Sequence, residues 1–242
     1  MRSTTRGILA IVMVVGSSAC SNGPPAPYVP PPPGTVYFYS GGLASRIVSN
    51  DGIRTRFVDR NGRPGSRLGL FIPELPNRPA VVDPAKLAAL WPLEVGNVDT
   101  VDIQQGEQSE RWQFIVDAYE RITVPKGEYM AHRVQGRQSV RRPTDTAYVP
   151  LAEHIWFYSA DLNAVVDFGS RYVQGPLAGR QFGAQLVEIA PAGDTAAMRR
   201  GFAKQAERAR ADSVRGAAAA GVSPVPVGPP GVMGADSIRR RP

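Results

Sequence analysis

Cysteine and histidine, the residues that most often build disulfides and metal centres, are scarce in this chain. Its 242 residues include one cysteine, Cys20, and two histidines, His132 and His154. A single cysteine excludes an internal disulfide and a cysteine-based zinc cluster. Uninterrupted apolar runs stay far below the roughly 20 residues that a membrane-spanning helix needs. We therefore expect no spanning helix in the mature chain, no resident metal and no cofactor.

Proline, in contrast, is abundant, and its distribution is uneven. The 23 prolines are about twice the usual share, which indicates that part of the chain is unstructured. Hydrophobic residues make up 43% of the chain, too many for disorder throughout. The composition therefore predicts a folded domain with unstructured segments on either side.

The first 19 residues have the pattern of an export signal. Arg2 and Arg6 precede a nine-residue apolar run, residues 7–15, and small residues then lead to Cys20. We interpret residues 1–19 as a signal peptide that is removed from the mature protein.

The position of Cys20 resembles the processing site of bacterial lipoproteins, in which the thiol is acylated and becomes the new N-terminus. The resemblance implies a membrane anchor of palmitate-type acyl chains at Cys20. Ser21 after the cysteine implies the outer membrane, with the protein facing the periplasm. Ser17 and Ala19 also suit ordinary signal peptidase, which leaves a soluble periplasmic protein as the alternative.

Composition divides the rest of the chain into four segments. Residues 20–34 carry seven prolines and no charge, which favours an extended, semi-rigid spacer after the lipidated cysteine. Residues 35–192 form the β-domain. Residues 193–220, rich in alanine and arginine, predict a basic and marginally stable helix. Residues 221–242, rich in proline and glycine, predict a disordered basic tail.

Charge is concentrated outside the β-domain. The formal net charge is +7, yet residues 35–192 contain 17 basic and 17 acidic side chains. The excess lies in the export signal and in residues 193–242, which end in Arg239, Arg240 and Arg241. A neutral domain argues against nucleic acid as a partner. The arginine tail indicates an anionic envelope polymer or lipid instead.

The middle of the chain has the periodicity of β-strands. Between residues 35 and 192 apolar residues alternate with a period of two, and turn residues recur about every ten positions. The pairs Asp51-Gly52 and Asn61-Gly62 are typical of two-residue hairpin turns. Residues 111–124 alternate most clearly and predict a strand with one buried face.

One helix is expected inside this region, at residues 83–90, with Asp83 as its cap. We therefore predict a mainly β fold of about eight to ten antiparallel strands, in a strongly curved sheet or open barrel. One short internal helix and a marginal C-terminal helix complete it. The oligomeric state is left open by the sequence.

Four stretches resemble a loose group of bacterial periplasmic and lipoprotein β-domains of unknown function. They read LWPLEVG at 90–96, TVPKGEY at 123–129, IWFYS at 155–159 and LNAVVDF at 162–168. In that group a PL.VG turn, a TVP.G.F turn and a WY strand recur in this order. The resemblance covers roughly residues 35–190 and implies a fold, with little bearing on function.

Local signatures of catalysis are missing from the sequence. Nucleophile elbows, phosphate-binding glycine loops and zinc-protease helices have no counterpart here. We expect His132 to be a structural, partly buried residue, and His154 with Glu153 is too small a set for a metal or acid–base site. An acidic run lacks the order of a calcium loop and predicts a solvated loop or strand face; it comprises Asp99, Asp102, Glu107 and Glu110.

Aromatic residues are the strongest candidates for a binding surface. Trp156 and Tyr158 belong to a run of three adjacent aromatics, which places large rings on both faces of one strand. We predict that Trp91, Trp112, Trp156 and Tyr158 line a ligand groove. Ordinary core packing is the alternative for most of them.

The sequence thus predicts a non-catalytic cell-envelope lipoprotein whose β-domain binds an amphiphilic molecule or an envelope protein. One alternative is a structural protein that docks on the envelope through its basic tail. A hydrolase with a dispersed site is the other, because a fold of this kind can carry a site without a local motif.

Overall fold

The structure is a computed structural model that describes residues 22–75 and 78–219, with side chains through residue 213. The predicted signal peptide, Cys20 and the tail arginines Arg239, Arg240 and Arg241 lie outside the described residues. The strands are β1 (Val36–Tyr39), β2 (Ala44–Asn50), β3 (Arg54–Asp59), β4 (Pro64–Leu68), β5 (Ile72–Pro73), β6 (Val81–Val82), β7 (Val98–Gln105), β8 (Gln108–Val124), β9 (Gly127–Arg141), β10 (Val149–Ser159), β11 (Ala164–Tyr172) and β12 (Gln181–Ala190). The helices are α1 (Pro84–Ala88) and α2 (Thr195–Ala219).

All twelve strands belong to one antiparallel sheet, in the order β5-β4-β3-β2-β1-β12-β11-β10-β9-β8-β7-β6. Consecutive strands are paired, with the exception of β5 and β6, which form the two edges of the sheet. Strands β1 and β12 are paired with each other and join the two runs in the middle of the sheet. The mainly β fold class is confirmed. Ten of the twelve strands are four residues or longer, and β5 and β6 have two residues each.

The two predicted hairpin turns connect β2 to β3 and β3 to β4. Gly52 and Gly62 have φ angles of 88° and 76°, in the left-handed region that favours glycine. The second turn pairs β4 with β3 so that Arg67 lies opposite Thr55. This pairing places Arg67 on the same side of β3 and β4 as Phe57, next to the cavity described below.

The sheet bends so that its two ends approach each other without closing the ladder. Leu68 and Ile72, at the β5 end, belong to the same apolar cluster as Val101 and Trp112, near the β6 end. A second cluster fills the space between β1–β3 and the hairpin of β10 and β11, where the Tyr39 hydroxyl donates a hydrogen bond to the Val165 carbonyl over 3.0 Å. Both clusters occupy the inside of the bend.

Helix α2 covers the opposite side of β1 and β12. Its first turn is capped by Asp194, whose carboxylate accepts a hydrogen bond from the Ala197 backbone over 2.8 Å. Ala197, Gly201 and Gln205 are buried at positions four residues apart, and the two small ones, Ala197 and Gly201, let the helix lie close to the sheet. The face of α2 that points away from the sheet is exposed, as expected for a helix whose sequence is rich in alanine and arginine.

Candidate functional site

The four aromatic residues predicted to line a groove come together inside the bend. Trp112 and Tyr158 are fully buried, Trp156 is 6% exposed and Trp91 is half-buried. The Trp91 ring contacts Tyr158 edge-on at a centroid distance of 5.2 Å and stacks on Phe71 at 5.7 Å. Three of the four side chains are thus packed in the core, and only Trp91 reaches the surface. Their role in a groove stays a prediction.

Residues 22–34, here called the strap, lie against the domain. Composition predicted a spacer in this segment, yet Ala26 is fully buried and forms an isolated antiparallel bridge with Leu93. The two backbone N–H···O distances of this bridge are 3.0 and 2.8 Å. The strap therefore contacts the sheet from within a few residues of Cys20.

Side chains of the strap and of the domain fit together at two further points. The Tyr28 ring lies 5.3 Å from the Trp91 ring, and the Tyr28 hydroxyl accepts a hydrogen bond from Asn50 over 3.2 Å. Gly23 has a φ of 65° and leaves no room for a side chain against the ring of Tyr119. These contacts order the strap along the edge of the interior.

Beneath the strap lies a small cavity of about 40 Å³. Pro31 lines it from the strap side, and Leu70 contributes an apolar wall. Its remaining lining comes from β1–β4 and from the start of β11, and it includes Tyr37, Tyr39, Ile47, Phe57, Arg67 and Val165. The walls are mostly aromatic and aliphatic, with one cationic group.

That cation, the Arg67 guanidinium, has an unusual environment. Its central carbon lies 5.0 Å from the centroid of the Phe57 ring, a cation–π contact. Burial lowers the pKa of Arg67, whereas the neighbouring Tyr39 acts in the opposite direction. Burial also raises the pKa of the Tyr39 hydroxyl to about 12, and the charge of Arg67 opposes that shift.

No carboxylate among the described residues forms an ion pair with Arg67, although most buried charges in proteins have a partner. Other arginines of the sheet are paired: Arg54 lies 2.7 Å from Glu74, and Arg133 lies 2.8 Å from Asp117. Arg67 is therefore a half-buried cation with aromatic neighbours and without a neutralising group. Sequence reasoning did not single it out, although the Asn61-Gly62 turn fixes the register that places it beside Thr55.

Glu110 is a second buried charge, and its surroundings satisfy it. The residue is 3% exposed, and its carboxylate accepts hydrogen bonds from four neutral N–H groups, those of Gln105, Gln108, Trp112 and Gln138, over 2.9 to 3.4 Å. The sequence predicted a solvated position for this acid, and that prediction is wrong. The strand alternation that buries Trp112 also buries Glu110, because residues two apart share one face of β8.

Both histidines are buried, and neither belongs to a group of metal-binding side chains among the described residues. His154 stacks on Trp156 at a centroid distance of 5.2 Å, and its Nδ1 lies 2.8 Å from the Ser170 hydroxyl. Burial lowers the pKa of His154 to about 4. His132 is fully buried beside Tyr119; burial lowers its pKa, and the backbone of Pro24 in the strap opposes that shift. His132, expected to be structural and partly buried, is thus more completely buried than expected.

Two negative findings apply to the part of the chain that the structure describes. It contains no group of three or more His, Cys, Asp or Glu side chains placed to hold a metal ion. Within the same residues, neither helix has the length and apolar character needed to cross a membrane.

A wider cleft of about 480 Å³ lies over β9–β12. It is open to solvent, and Arg171 at its edge is neutralised by Glu153 at 2.6 Å. Phe182, also in its lining, is 48% exposed. Both cations of this cleft, Arg137 and Arg171, are exposed, whereas Arg67 is half-buried against an aromatic ring, so the Arg67 cavity is the better candidate site.

Comparisons with known proteins give only distant likenesses. No family model matches the chain, and no curated protein matches it. Among solved structures, the hypothetical lipoprotein YmcC from Escherichia coli K12 is 12% identical, with a TM-score of 0.41 over 65% of this chain and 84% of that chain. A protein assigned as a lipoprotein, from Parabacteroides distasonis, is 10% identical, with a TM-score of 0.38 over 69% of this chain and all of that chain. An assigned exported protein with a YmcC-like fold, from Bacteroides fragilis, is 12% identical, with a TM-score of 0.37 over the same shares. At these TM-scores no residue role is transferred, and the candidate site rests on this chain's own geometry.

Proposed function

We propose that the protein is a lipid-anchored, non-catalytic envelope protein whose β-domain binds an anionic amphiphile at the Arg67 cavity. The observation that carries the proposal is the half-buried guanidinium of Arg67 without a carboxylate partner, within a mostly apolar wall. The anchor at Cys20 and the outer-membrane location are part of the same proposal, with a soluble periplasmic protein as the alternative.

The chemistry of the ligand follows from the lining. A guanidinium binds carboxylates and phosphates through paired, charge-assisted hydrogen bonds, which are stronger than neutral ones. Removing Arg67 from water is unfavourable unless a counter-charge accompanies it. A ligand with an anionic head would supply that charge, and an aliphatic tail would lie along Tyr37, Ile47 and Phe57.

Location supports an amphiphile as the ligand. Gly23 packs on Tyr119, and only two residues separate it from Cys20. Three residues span at most about 10 Å, so an acylated Cys20 would hold this side of the domain at the membrane surface. Amphiphiles released from or delivered to that surface would meet the domain directly.

The test uses dansylundecanoic acid, a fluorescent anionic amphiphile, and its neutral methyl amide. The unmodified protein should bind the acid at least tenfold more tightly than the amide, as measured by dansyl fluorescence. Arg67→Gln should weaken binding of the acid by tenfold or more, since one charge-assisted interaction contributes about 1.5–3 kcal/mol. Binding of the amide should change little.

Arg56→Gln is the matched control. Arg56 is an exposed arginine on β3, 3.7 Å from Asp51, and it does not line the cavity. Its substitution should leave both affinities unchanged. Equal binding of the acid by the unmodified protein and by Arg67→Gln would contradict the proposed site.

A further inference from the structure

We infer that the strap is a displaceable lid over the Arg67 cavity, and that ligand enters when the strap leaves. The inference rests on the proposed function and adds its regulation. The segment adjoining the predicted membrane anchor would then also control access to the binding site.

Size is the first argument. With the strap in place the cavity holds about 40 Å³, close to the volume of one water molecule in the liquid. Sites for small organic ligands have volumes of roughly 300–1,000 Å³. An amphiphile therefore does not fit beside Arg67 while Pro31 covers the cavity. Of the groups that close it, Pro31 is the one that belongs to no strand, turn or helix of the sheet.

The strap can leave without breaking the sheet. Seven of its thirteen residues are prolines, which have no N–H to donate. Its backbone–backbone hydrogen bonds to the described domain are the two at the Ala26–Leu93 bridge, one from Gly34 to Ile47 over 2.8 Å, and one from Thr35 back to Pro32 over 3.2 Å. The neighbouring strands β1 and β2 are instead held by a continuous ladder. Opening thus costs few hydrogen bonds, and the proline-rich segment stays extended and ready to rebind.

The surface under the strap suits the same ligand. Release would uncover the half-buried ring of Trp91 and the buried side chain of His132, which lies beside Tyr119. These residues lie beside the N-terminal half of the strap, at Tyr28 and Pro24. A ligand tail that covers them would replace the contacts that the strap gives up.

A reversible disulfide tests the lid. Ala26 and Leu93 are directly paired and exchange both backbone hydrogen bonds, a geometry with Cα atoms about 5.5 Å apart. That separation suits a disulfide. The double substitution Ala26→Cys and Leu93→Cys is made in the full chain carrying Cys20→Ser, so that the introduced pair supplies the only thiols. The oxidised form holds the strap closed at Ala26, and the stiff prolines 30–33 keep Pro31 in place.

Binding of dansylundecanoic acid is measured for the oxidised form, for the same protein after reduction, and for the Cys20→Ser parent. Oxidation should weaken binding at least tenfold, and reduction should restore the affinity of the parent. Equal affinity of the oxidised and reduced forms would contradict the inference that the strap controls access to the cavity. Absence of binding by the parent itself would instead overturn the proposed function, and the two failures are therefore distinguishable.

A second variant tests the lid from the opposite direction. Tyr28→Ala removes the contacts of the strap with Trp91 and Asn50. If closure competes with ligand, a larger open fraction raises the apparent affinity, and we expect binding about threefold tighter or more. Unchanged or weaker binding by Tyr28→Ala would contradict the lid even if the disulfide pair failed to fold.

Discussion

At the scale of single residues, two buried charges of this domain have opposite environments. The carboxylate of Glu110 is surrounded by N–H donors, so the folded protein itself compensates for its removal from water. The guanidinium of Arg67 has an aromatic face at 5.0 Å and no paired acid among the described residues. The first arrangement is complete, because neighbouring N–H groups satisfy the carboxylate. The second leaves a cation without a paired anion. Arg67, and not Glu110, therefore defines the candidate site.

Burial of His154 makes stability depend on pH. Its pKa is lowered to about 4 in the folded protein, against about 6.5 in an unfolded chain. Between pH 4 and 6.5 the unfolded chain therefore binds a proton at His154 that the folded protein does not bind. The contribution of His154 to the free energy of unfolding is complete above pH 6.5. It is lost as the pH falls from 6.5 to 4, by about 3 kcal/mol in total.

Urea unfolding between pH 7.5 and 4 measures this loss. His154→Gln keeps a hydrogen-bonding group near Ser170 but does not titrate, so its stability should fall less over this range than that of the unmodified protein. Carboxylates contribute equally to both proteins and cancel in the comparison. Parallel pH profiles would mean that His154 ionises normally in the folded state.

The sequence did not predict the candidate site. None of the four aromatics that it singled out lines the Arg67 cavity, although Trp91 contacts Tyr28 of the strap. Arg67 was missed, since an arginine in a polar stretch gives no sign of its partners, and the lack of an acid nearby is a property of the fold. The strap was taken for a spacer because composition describes how a segment behaves alone. It does not reveal that Ala26 can pair with Leu93.

At the scale of elements, helix α2 depends on a glycine where a free helix would prefer alanine. Gly201 is buried against Phe38, which is itself fully buried, and an added Cβ would overlap the Phe38 ring. On an exposed helix, Gly→Ala stabilises by about 1 kcal/mol. At this position the clash reverses the sign, and Gly201→Ala should destabilise the protein by about 1–3 kcal/mol in urea unfolding.

Ala203→Gly is the control for helix propensity. Ala203 is exposed on α2, so its substitution should cost only the propensity of about 1 kcal/mol. A stabilising Gly201→Ala would show that α2 does not pack on Phe38 as described.

Helix α2 also contributes to the ion pairs of a buried carboxylate, that of Glu188. Burial disfavours ionisation of Glu188, but the ammonium groups of Lys126 and Lys204, at 2.7 and 2.9 Å, outweigh it and lower its pKa to about 2. Lys126 belongs to the turn between β8 and β9, and Lys204 to α2. Glu188 thus connects three elements that are distant in the sequence.

Elements with strong local signals were predicted well. The Asp-Gly and Asn-Gly turns predicted the first hairpins, and the alternation in residues 111–124 predicted most of β8, because both signals are local. Strands β4 to β7 were not predicted as strands. Residues 64–68 begin with proline and glycine, which are depleted in strands. Residues 98–105 are rich in β-branched side chains, but their two acids left a solvated loop as an equal interpretation. Pairing with longer neighbours makes them strands, and that information is not local.

At the scale of the whole molecule, the join between β1 and β12 makes the C-terminal region part of the fold. Phe38 of β1 pairs with Glu188 of β12, and α2 packs over this seam. Gln205 donates hydrogen bonds to the carbonyls of Tyr39 and Leu43, over 2.7 and 2.6 Å. A helix predicted to be marginal from its own sequence is thereby fixed to the centre of the sheet. We therefore expect the cooperative unit of unfolding to include the part of α2 up to Arg208, beyond the predicted boundary at residue 192.

Two truncations separate this structural role from any role of the basic tail. The described contacts of α2 with the sheet lie between Ala197 and Arg208. A chain that stops after residue 219 should keep the full free energy of unfolding, because those contacts remain. A chain that stops after residue 193 should lose about 3 kcal/mol or more, since Phe38 and its apolar neighbours become exposed.

Urea unfolding of both truncations is compared with that of the full chain, and association with envelope membranes is measured at low and high salt. If the tail arginines dock on anionic lipid or polymer, the chain ending at residue 219 stays folded and loses a salt-sensitive part of its binding, because exposed charges are screened within about 8–10 Å. The lipid anchor at Cys20 would supply the salt-resistant remainder. Equal destabilisation by the two truncations would contradict the assignment of the structural contacts to α2, because only the shorter chain lacks that helix.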